Sequence, residues 1–302
     1  MTDSAPLFDQ FPATRSVLDW IPFTRDQLVL LLVATNELFL GLDTYLSHRI
    51  SGTIIPREWI PIVFGPVAGV LLLLAGLLAQ RMRHLAASIA SLVLLSSAAV
   101  GVLGSWYHFQ YAYHPGAPEG FKLTLEALIW APPVLGPLAF ALVGWLGISA
   151  VWREEPVGSG RLNFMDRWTV QLPYSKSRAY YYIVSLGAMI ATVSSVLDHA
   201  RHDFSDPWMW LAMVIGLFAM FVAAGLAILD DPSTGDILTY VASMVLLLLF
   251  GVLGVYFHGM ANLTADGEFV LERFIRGAPM MAPLLFTNIG LMGLIVLFPS
   301  RA

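Results

Sequence analysis

Two histidines in this chain end nearly the same eight-residue phrase, which predicts that they share one chemical role. GVLGSWYH ends at His108, and GVLGVYFH ends at His258. In each phrase two glycines precede the histidine by seven and by four residues, so the three residues lie on one helix face. Glycines let a neighbouring helix approach closely, and each imidazole is therefore expected to point into the protein. Because neutral imidazole is a common metal ligand, both histidines are predicted to bind a metal ion or a haem.

Carboxylates and further histidines are expected at the same depth as these two imidazoles. Leu-Asp followed by a histidine occurs twice, and two glutamates each precede a pair of prolines at corresponding places. The additional candidate ligands are Asp43, His48, Glu126, Asp198, His202 and Glu272. Carboxylate and imidazole together form the ligand set of iron, manganese, zinc and copper(II) sites. The chain has no cysteine, which excludes thiolate metal sites and Cys-ligated iron–sulfur clusters.

The predicted cofactor is iron or copper in a non-haem di-metal centre, since facing helices supply such mixed ligands in helical bundles. A haem is the alternative, with His108 and His258 as its two axial ligands. The two histidines are expected either to approach each other or each to join an equivalent site with the glutamate of its own half of the chain. Simpler interpretations stay open. Each histidine could only form a hydrogen bond with a loop carbonyl, and each glutamate could only complement the positive end of a helix dipole.

A single carboxylate, Glu37, stands apart from these candidates. It lies roughly ten residues into the first apolar segment, near the bilayer midplane at about 1.5 Å per residue. Asn36 precedes it, and no carboxylate occupies the matching place in the fifth segment. A carboxylate at this depth is costly unless it is protonated or paired, so Glu37 is predicted to belong to a proton or ion path. The alternative is a neutral glutamate bonded to Asn288 or to a hydroxyl group.

The elements that position these residues are membrane-spanning helices. Of the 302 residues 57% are hydrophobic and 12% charged, and the mean hydropathy is +0.72, which is typical of an integral membrane protein. A membrane helix needs about 20 apolar residues, and the backbone must satisfy its own hydrogen bonds. Eight segments qualify: 27–47, 59–79, 85–107, 125–151, 179–198, 208–229, 237–257 and 276–299.

The eight segments are predicted to form an internal repeat. Pro56, Trp59 and Gly65 recur in the same spacing at 207, 210 and 216, and the glutamate-proline-proline pattern beginning at Glu126 recurs at Glu272. The predicted fold is an all-α integral membrane protein with eight transmembrane helices in a tandem parallel 4+4 repeat. Its parts are an N-terminal cytoplasmic or interfacial segment (1–26), two four-helix units (27–151 and 179–302) and a cytoplasmic linker (152–178).

Basic residues predict the orientation of the chain in the membrane. Ten of the sixteen Lys and Arg residues fall on the side of the termini and the linker, which predicts cytoplasmic termini. The candidate ligands then lie near the extracytoplasmic face, and a bacterial inner membrane is expected. The net charge of −5 and the absence of a basic stripe exclude nucleic acid as a partner. The expected partners are the lipid bilayer and other membrane or extracytoplasmic redox subunits.

Three functions follow from these features. The first is a redox-related metal protein, of which a membrane metal-dependent oxidoreductase is one form. The second is a transporter that moves a small solute or cation through the repeat interface past Glu37. The third is a non-catalytic subunit of a membrane complex, in which the repeated histidines only stabilise loops. The chain contains no P-loop, dinucleotide fingerprint, H-E-x-x-H motif or serine elbow.

Overall fold

Ten α-helices, a short 3₁₀ helix (Pro56–Glu58) and three short strands follow one another in the computed structural model, which describes residues 23–50, 52–79, 81–164 and 168–298. Residues 1–22 of the predicted interfacial segment 1–26, residues 165–167 of the predicted linker and residues 299–302 of the second predicted unit lie outside these ranges. The helices are α1 (Arg25–Ile50), α2 (Trp59–Leu78), α3 (Arg83–Ala112), α4 (Leu125–Trp130), α5 (Leu138–Val151), α6 (Lys176–Ala200), α7 (Pro207–Ile228), α8 (Thr234–Asn262), α9 (Leu271–Arg276) and α10 (Leu284–Ile295).

Six of these helices are long and apolar enough to cross a membrane: α1, α2, α3, α6, α7 and α8. Polar side chains cap the N-termini of several helices, where they accept hydrogen bonds from otherwise unpaired backbone N–H groups. Ser175 caps α6, Asp206 caps α7 ahead of a proline at the first helical position, and Ser233 forms a capping box with Asp236 at α8. The chain is therefore a mostly helical protein whose long apolar helices are those of a membrane protein.

The fourth and eighth predicted spans are not continuous helices, which corrects the sequence-based expectation. Segment 125–151 divides into α4, a break and α5, and segment 276–299 contains the end of α9, a break and α10. Both breaks contain two prolines spaced by four residues, Pro133 with Pro137 and Pro279 with Pro283. Proline removes a backbone donor and clashes with the carbonyl four residues earlier. The apolar parts that remain, α5 and α10, are shorter than the other six apolar helices.

The predicted linker contains a small antiparallel sheet, which the polarity of this segment did not predict. Its strands are β1 (Arg153–Glu154), β2 (Arg161–Phe164) and β3 (Trp168–Gln171), in the order β1-β2-β3. Phe164 of β2 pairs with Trp168 of β3 and also stacks on Trp152, with ring centroids 5.5 Å apart. The sheet connects α5 to α6.

The long helices pack into two similar groups. In the N-terminal bundle, α1–α5, helices α1, α2, α3 and α5 form a closed ring of neighbours, and in the C-terminal bundle, α6–α10, so do α6, α7, α8 and α10. Between the bundles, α1 contacts α9 and α10, while α6 contacts α4 and α5. The first helix of each bundle therefore contacts the last two helices of the other.

Contacts at both ends show that α1 and α6 run in the same direction. At their starts, Lys176 Nζ of α6 lies 2.7 Å from Asp26 Oδ2 of α1. Near the end of α1, His48 lies beside His108, which contacts Pro133 just after α4. Just beyond the end of α6, the Arg201 guanidinium donates to the backbone carbonyls of Ile129 and Ala131 at the end of α4. We call the end where α1, α3, α6 and α8 terminate the histidine end, and the opposite end the linker end.

Glycines bring the backbones together at equivalent places in the two bundles. A Cβ atom on Gly144 of α5 would lie 2.5 Å from the carbonyl oxygen of Leu94 in α3. A Cβ atom on Gly290 of α10 would lie 2.5 Å from the carbonyl oxygen of Met244 in α8. Real side chains do not tolerate such a distance, so α3 and α5, like α8 and α10, are in direct backbone contact.

Candidate histidine sites

His108 near the end of α3 is held by a backbone carbonyl that the α4–α5 break leaves without its usual helical donor. Its Nδ1 lies 2.9 Å from the oxygen of Pro133. Because Pro137 has no N–H, it cannot donate to this oxygen as a fourth following residue would in a helix. A carbonyl oxygen only accepts, so Nδ1 carries the proton, and in the neutral imidazole Nε2 carries the lone pair.

His258 near the end of α8 has the same arrangement. Its Nδ1 lies 2.9 Å from the oxygen of Pro279, and Pro283 stands four residues after that proline. The glycine of each phrase explains the close approach, because a Cβ on Gly104 or on Gly254 would lie 2.7 Å from Pro137 Cβ or Pro283 Cβ, respectively. The prediction that glycines bring a neighbouring segment close to each histidine is confirmed.

A second imidazole stands beside His108. The ring of His48, near the end of α1, has its centroid 6.0 Å from that of His108, and its Nδ1 lies 2.8 Å from the oxygen of Thr44. Asp43 interacts electrostatically with His48, and Glu58, which precedes α2, does so with His108. The N-terminal bundle thus groups two imidazoles with two carboxylates, and Glu58 was not among the predicted ligands.

His258 has a similar set of neighbours in the C-terminal bundle. Asp198 and His199, near the end of α6, both interact electrostatically with it. His199 Nδ1 lies 3.3 Å from Ser195 Oγ, and Asp198 Oδ1 lies 3.9 Å from Arg201 Nη1. His202 lies beyond the helix end and is exposed, within electrostatic range of His199. His199, rather than His202, is therefore the second imidazole close to His258.

The predicted glutamate ligands lie outside these groups. Glu126, in the first turn of α4, is exposed. Glu272, in the first turn of α9, is also exposed and forms a salt bridge with Arg276. Within the described ranges, no hydrogen bond or ring contact joins His108 to His258. The structure thus gathers the histidine-end candidates separately in each bundle.

The described part of the chain contains no group of three or more His, Asp or Glu side chains with the geometry to hold a metal ion. Each of the two groups instead offers a pair of imidazoles, with carboxylates within electrostatic range. Two imidazoles suffice as axial ligands of a haem, whereas a free ion would need further ligands from solvent or from a partner.

Glu37 lies in the interior of the N-terminal bundle, fully buried on α1. Its Oε1 is 2.5 Å from Ser97 Oγ of α3, and the same hydroxyl is 2.9 Å from the carbonyl oxygen of Phe140 in α5. Its Oε2 is buried and has no hydrogen-bond partner among the described residues. Asn288, one of the partners considered from the sequence, instead donates to Asn36 and so links α10 to α1.

A buried group of charges at the linker end was missed by the sequence analysis. Arg25 and Lys176 served there only as markers of membrane topology, yet they are 3% and 2% exposed. Lys176 Nζ binds Asp26 and also lies 3.0 Å from the carbonyl oxygen of Trp152. The Arg25 guanidinium stacks over the ring of Tyr180, whose hydroxyl donates to Asp26. These contacts fasten the start of α1 to the start of α6.

Comparison with known proteins gives no match to a family model, to a curated protein or to a solved structure.

Proposed function

We propose that the chain is a tandem parallel repeat of two four-helix units, 27–151 and 179–302, with cytoplasmic termini in a bacterial inner membrane. The fourth crossing of each unit would combine a short helix, a proline break and a second helix. The support is that the ring of neighbours, the glycine contacts and the histidine–proline bond recur in both bundles. The parallel course of α1 and α6 is what an even number of crossings per unit requires.

We further propose that the protein binds iron, copper or haem at its histidine end and serves a redox reaction there. The observation that carries this proposal is the identical anchoring of His108 and His258 by a proline carbonyl. Metal-ligating histidines characteristically donate their other ring N–H to a carbonyl or a carboxylate, which fixes the tautomer and makes the ligating nitrogen more basic. Nε2 is then the ligating atom in both bundles.

The sequence left open one shared site or one site in each half. The neighbours of each histidine lead us to propose two equivalent sites, one per unit, without the predicted glutamates. His48 would join His108 in the first site, and His199 would join His258 in the second. Asp43 and Asp198 would supply negative charge that offsets the charge of a bound metal ion. A site at the end of the helices is open to an extracytoplasmic redox partner.

Metal analysis and a visible absorption spectrum of the purified full-length protein test this proposal. Two sites predict about two metal ions or haems per chain, and a change at either histidine should leave one. His108→Asn and His258→Asn are the informative variants, because the asparagine amide can keep the N–H donor to the proline carbonyl but lacks Nε2. His114→Ala is the matched control, since His114 lies in the α3–α4 loop and its Nδ1 is 3.2 Å from the oxygen of Ala112.

Three outcomes separate the possible functions. Half occupancy in each asparagine variant and full occupancy in the control support two sites. Complete loss in either variant indicates one shared site and contradicts the proposed pair. Negligible metal and no haem band in the wild-type protein, produced with iron and copper supplied, overturn the redox function and leave the histidines as supports of the proline breaks.

A further inference from the structure

Among the described residues, Glu37 is the only Asp or Glu that is fully buried. It lies in the middle of α1, and its neighbours are helices of the same bundle. An ionised carboxylate in such surroundings is strongly unfavourable unless a positive charge compensates it. The one hydrogen bond of the Glu37 side chain among the described residues is to a hydroxyl group and not to a cation.

The hydrogen-bond contacts of Ser97 indicate whether the Glu37 carboxyl group is protonated or ionised. Ser97 Oγ is within hydrogen-bond distance of two oxygens, Glu37 Oε1 and the carbonyl oxygen of Phe140. A serine hydroxyl has one proton to donate and two lone pairs to accept with. If Glu37 were ionised, both neighbouring oxygens would be acceptors, and only one of the two contacts could be a hydrogen bond. A proton on Oε1 makes both contacts hydrogen bonds.

We propose that Glu37 and Ser97 form a buried proton-binding site in the N-terminal bundle. The proton sits on Oε1 and is donated to Ser97 Oγ, and the hydroxyl proton of Ser97 is donated to the carbonyl oxygen of Phe140. Uptake converts one carboxylate and one proton into one carboxylic acid, and no other bond forms or breaks. Oε2 remains an acceptor without a partner in the described structure, and it is the atom to which a water molecule or a ligand N–H would bind when the proton leaves.

Within the described ranges this pair occurs in the N-terminal bundle only, because the C-terminal bundle has different residues at the equivalent places. Glu37 stands six residues before Asp43, and Thr192 stands six before Asp198. Ser97 stands eleven residues before His108, and Leu247 stands eleven before His258. Thr192 Oγ1 donates to the carbonyl oxygen of Ala188 in its own helix, and Leu247 is fully buried. The inference does not depend on metal binding at the histidine end.

Infrared spectroscopy of the full-length protein in lipid tests the proposal. A protonated carboxyl group has a C=O stretching band above the carboxylate bands, and exchange into D2O shifts it. We expect the spectrum of the wild type minus that of Glu37→Gln to contain this band. In Ser97→Ala the band should persist and move to higher frequency, because its hydrogen-bond acceptor is lost. Thr192→Val, the matched change in the C-terminal bundle, should leave the band where it is.

A second measurement avoids the risk that the glutamine variant does not fold. Wild-type protein grown with glutamate labelled with ¹³C at the side-chain carboxyl should show the same band at lower frequency. The other described glutamates are at least partly exposed. A difference spectrum that contains carboxylate bands only, or an acid band that the label does not shift, overturns the proposal. Metal content measured on the same samples keeps the two proposals separate, since Glu37→Gln should retain the metal of the wild type.

Discussion

The two bundles agree at their ends and differ in their middles. At the histidine end, His108 and His258 bind a proline carbonyl at the same distance of 2.9 Å. In the middle, the N-terminal bundle buries the Glu37–Ser97 pair, whereas the C-terminal bundle has Thr192 and Leu247 at those places. The interface between the bundles, here called the seam, is not symmetric either. Asn288 of α10 donates to Asn36 of α1, whereas the equivalent positions of α5 and α6 are Leu142 and Ala191.

The comparison indicates which features the packing requires and which serve a particular chemistry. Membrane helices associate through close packing of small residues rather than through a hydrophobic driving force, so a contact between backbones must be kept in both bundles. A polar group in the middle of a bundle is not needed for that packing. A group present in one bundle only, such as Glu37, is therefore the better candidate for a function of its own.

The largest effect is expected where the bundles are most alike. Gly144→Ala and Gly290→Ala each place a methyl group 2.5 Å from a backbone oxygen of the facing helix. Since the backbones must separate, each change should lower the free energy of unfolding by about 3 kcal/mol, at the upper end of overpacking effects. Reversible unfolding in mixed detergent micelles measures both values, which should be nearly equal.

Glycines without close neighbours supply the control for this prediction. A Cβ atom on Gly76 of α2 or on Gly225 of α7 would meet nothing within 4 Å. Alanine there should leave stability unchanged or raise it by up to about 1 kcal/mol, because alanine favours a helix over glycine. If Gly144→Ala is costly and Gly290→Ala is not, the close contact is a feature of one bundle, and the proposed repeat loses its main support.

The next largest effect on stability is expected for a buried serine in the middle of the N-terminal bundle, compared with one in the C-terminal bundle. Ser97→Ala removes the acceptor of the Glu37 carboxyl group and should cost about 2 kcal/mol, because a buried polar group is left unpaired. Ser243→Ala is the matched change, since Ser243 is equally buried on α8 but donates only to the carbonyl oxygen of Tyr240 in its own helix. It should cost less than about 0.5 kcal/mol. Equal losses in the two variants would contradict a special role of Ser97.

Part of this arrangement could be predicted from the sequence because it depends on local rules. Apolar length locates the helices, and the spacing of Gly101 and Gly104 ahead of His108 predicts the face on which they lie. Prolines spaced by four predict freed carbonyls, and Pro133 accepts from His108 as such a carbonyl would. The same prolines also divide the predicted spans, which a criterion of total apolar length does not reveal.

The rest depends on which helices face each other, and no local pattern contains that information. Ser97 is a serine in an apolar segment, and nothing in its local sequence predicts that packing of α3 against α1 brings it into hydrogen-bond contact with Glu37. Lys176 is a charged residue at the start of a helix and would be expected in solvent, yet it is buried in contact with Asp26. The repeat relates His108 to His258 by position but does not give the distance between them, so the sequence alone leaves open whether they share one site or each belong to a site in their own half.

A smaller effect is expected at the seam between the bundles. Asn288→Leu introduces the residue found at the equivalent position 142 and leaves Asn36 without its partner. Because hydrogen bonds between membrane helices average about 0.6 kcal/mol, and an unpaired amide adds to that loss, we expect a cost of about 1 kcal/mol. Adding Asn36→Ala, which copies position 191, should recover most of it, as both polar groups are then absent. A double variant that is less stable than Asn288→Leu would show that Asn36 stabilises the protein through contacts other than its hydrogen bond with Asn288.

The smallest effect is expected from removing the histidine–proline bonds one at a time. His108→Ala and His258→Ala each delete a single donor to a carbonyl that also accepts from a backbone N–H, Gly136 to Pro133 and Ala282 to Pro279. That second donor limits the loss, so each variant should lower the free energy of unfolding by about 0.6 kcal/mol, the average for such bonds in membranes. The asparagine variants should restore it, because the amide keeps the donor. Measured on metal-free protein by the same unfolding assay, the two alanine variants should agree within about 0.5 kcal/mol. A markedly larger loss for one of them would mean that its imidazole supports its bundle through Nε2 as well, and the two histidine ends would no longer be equivalent.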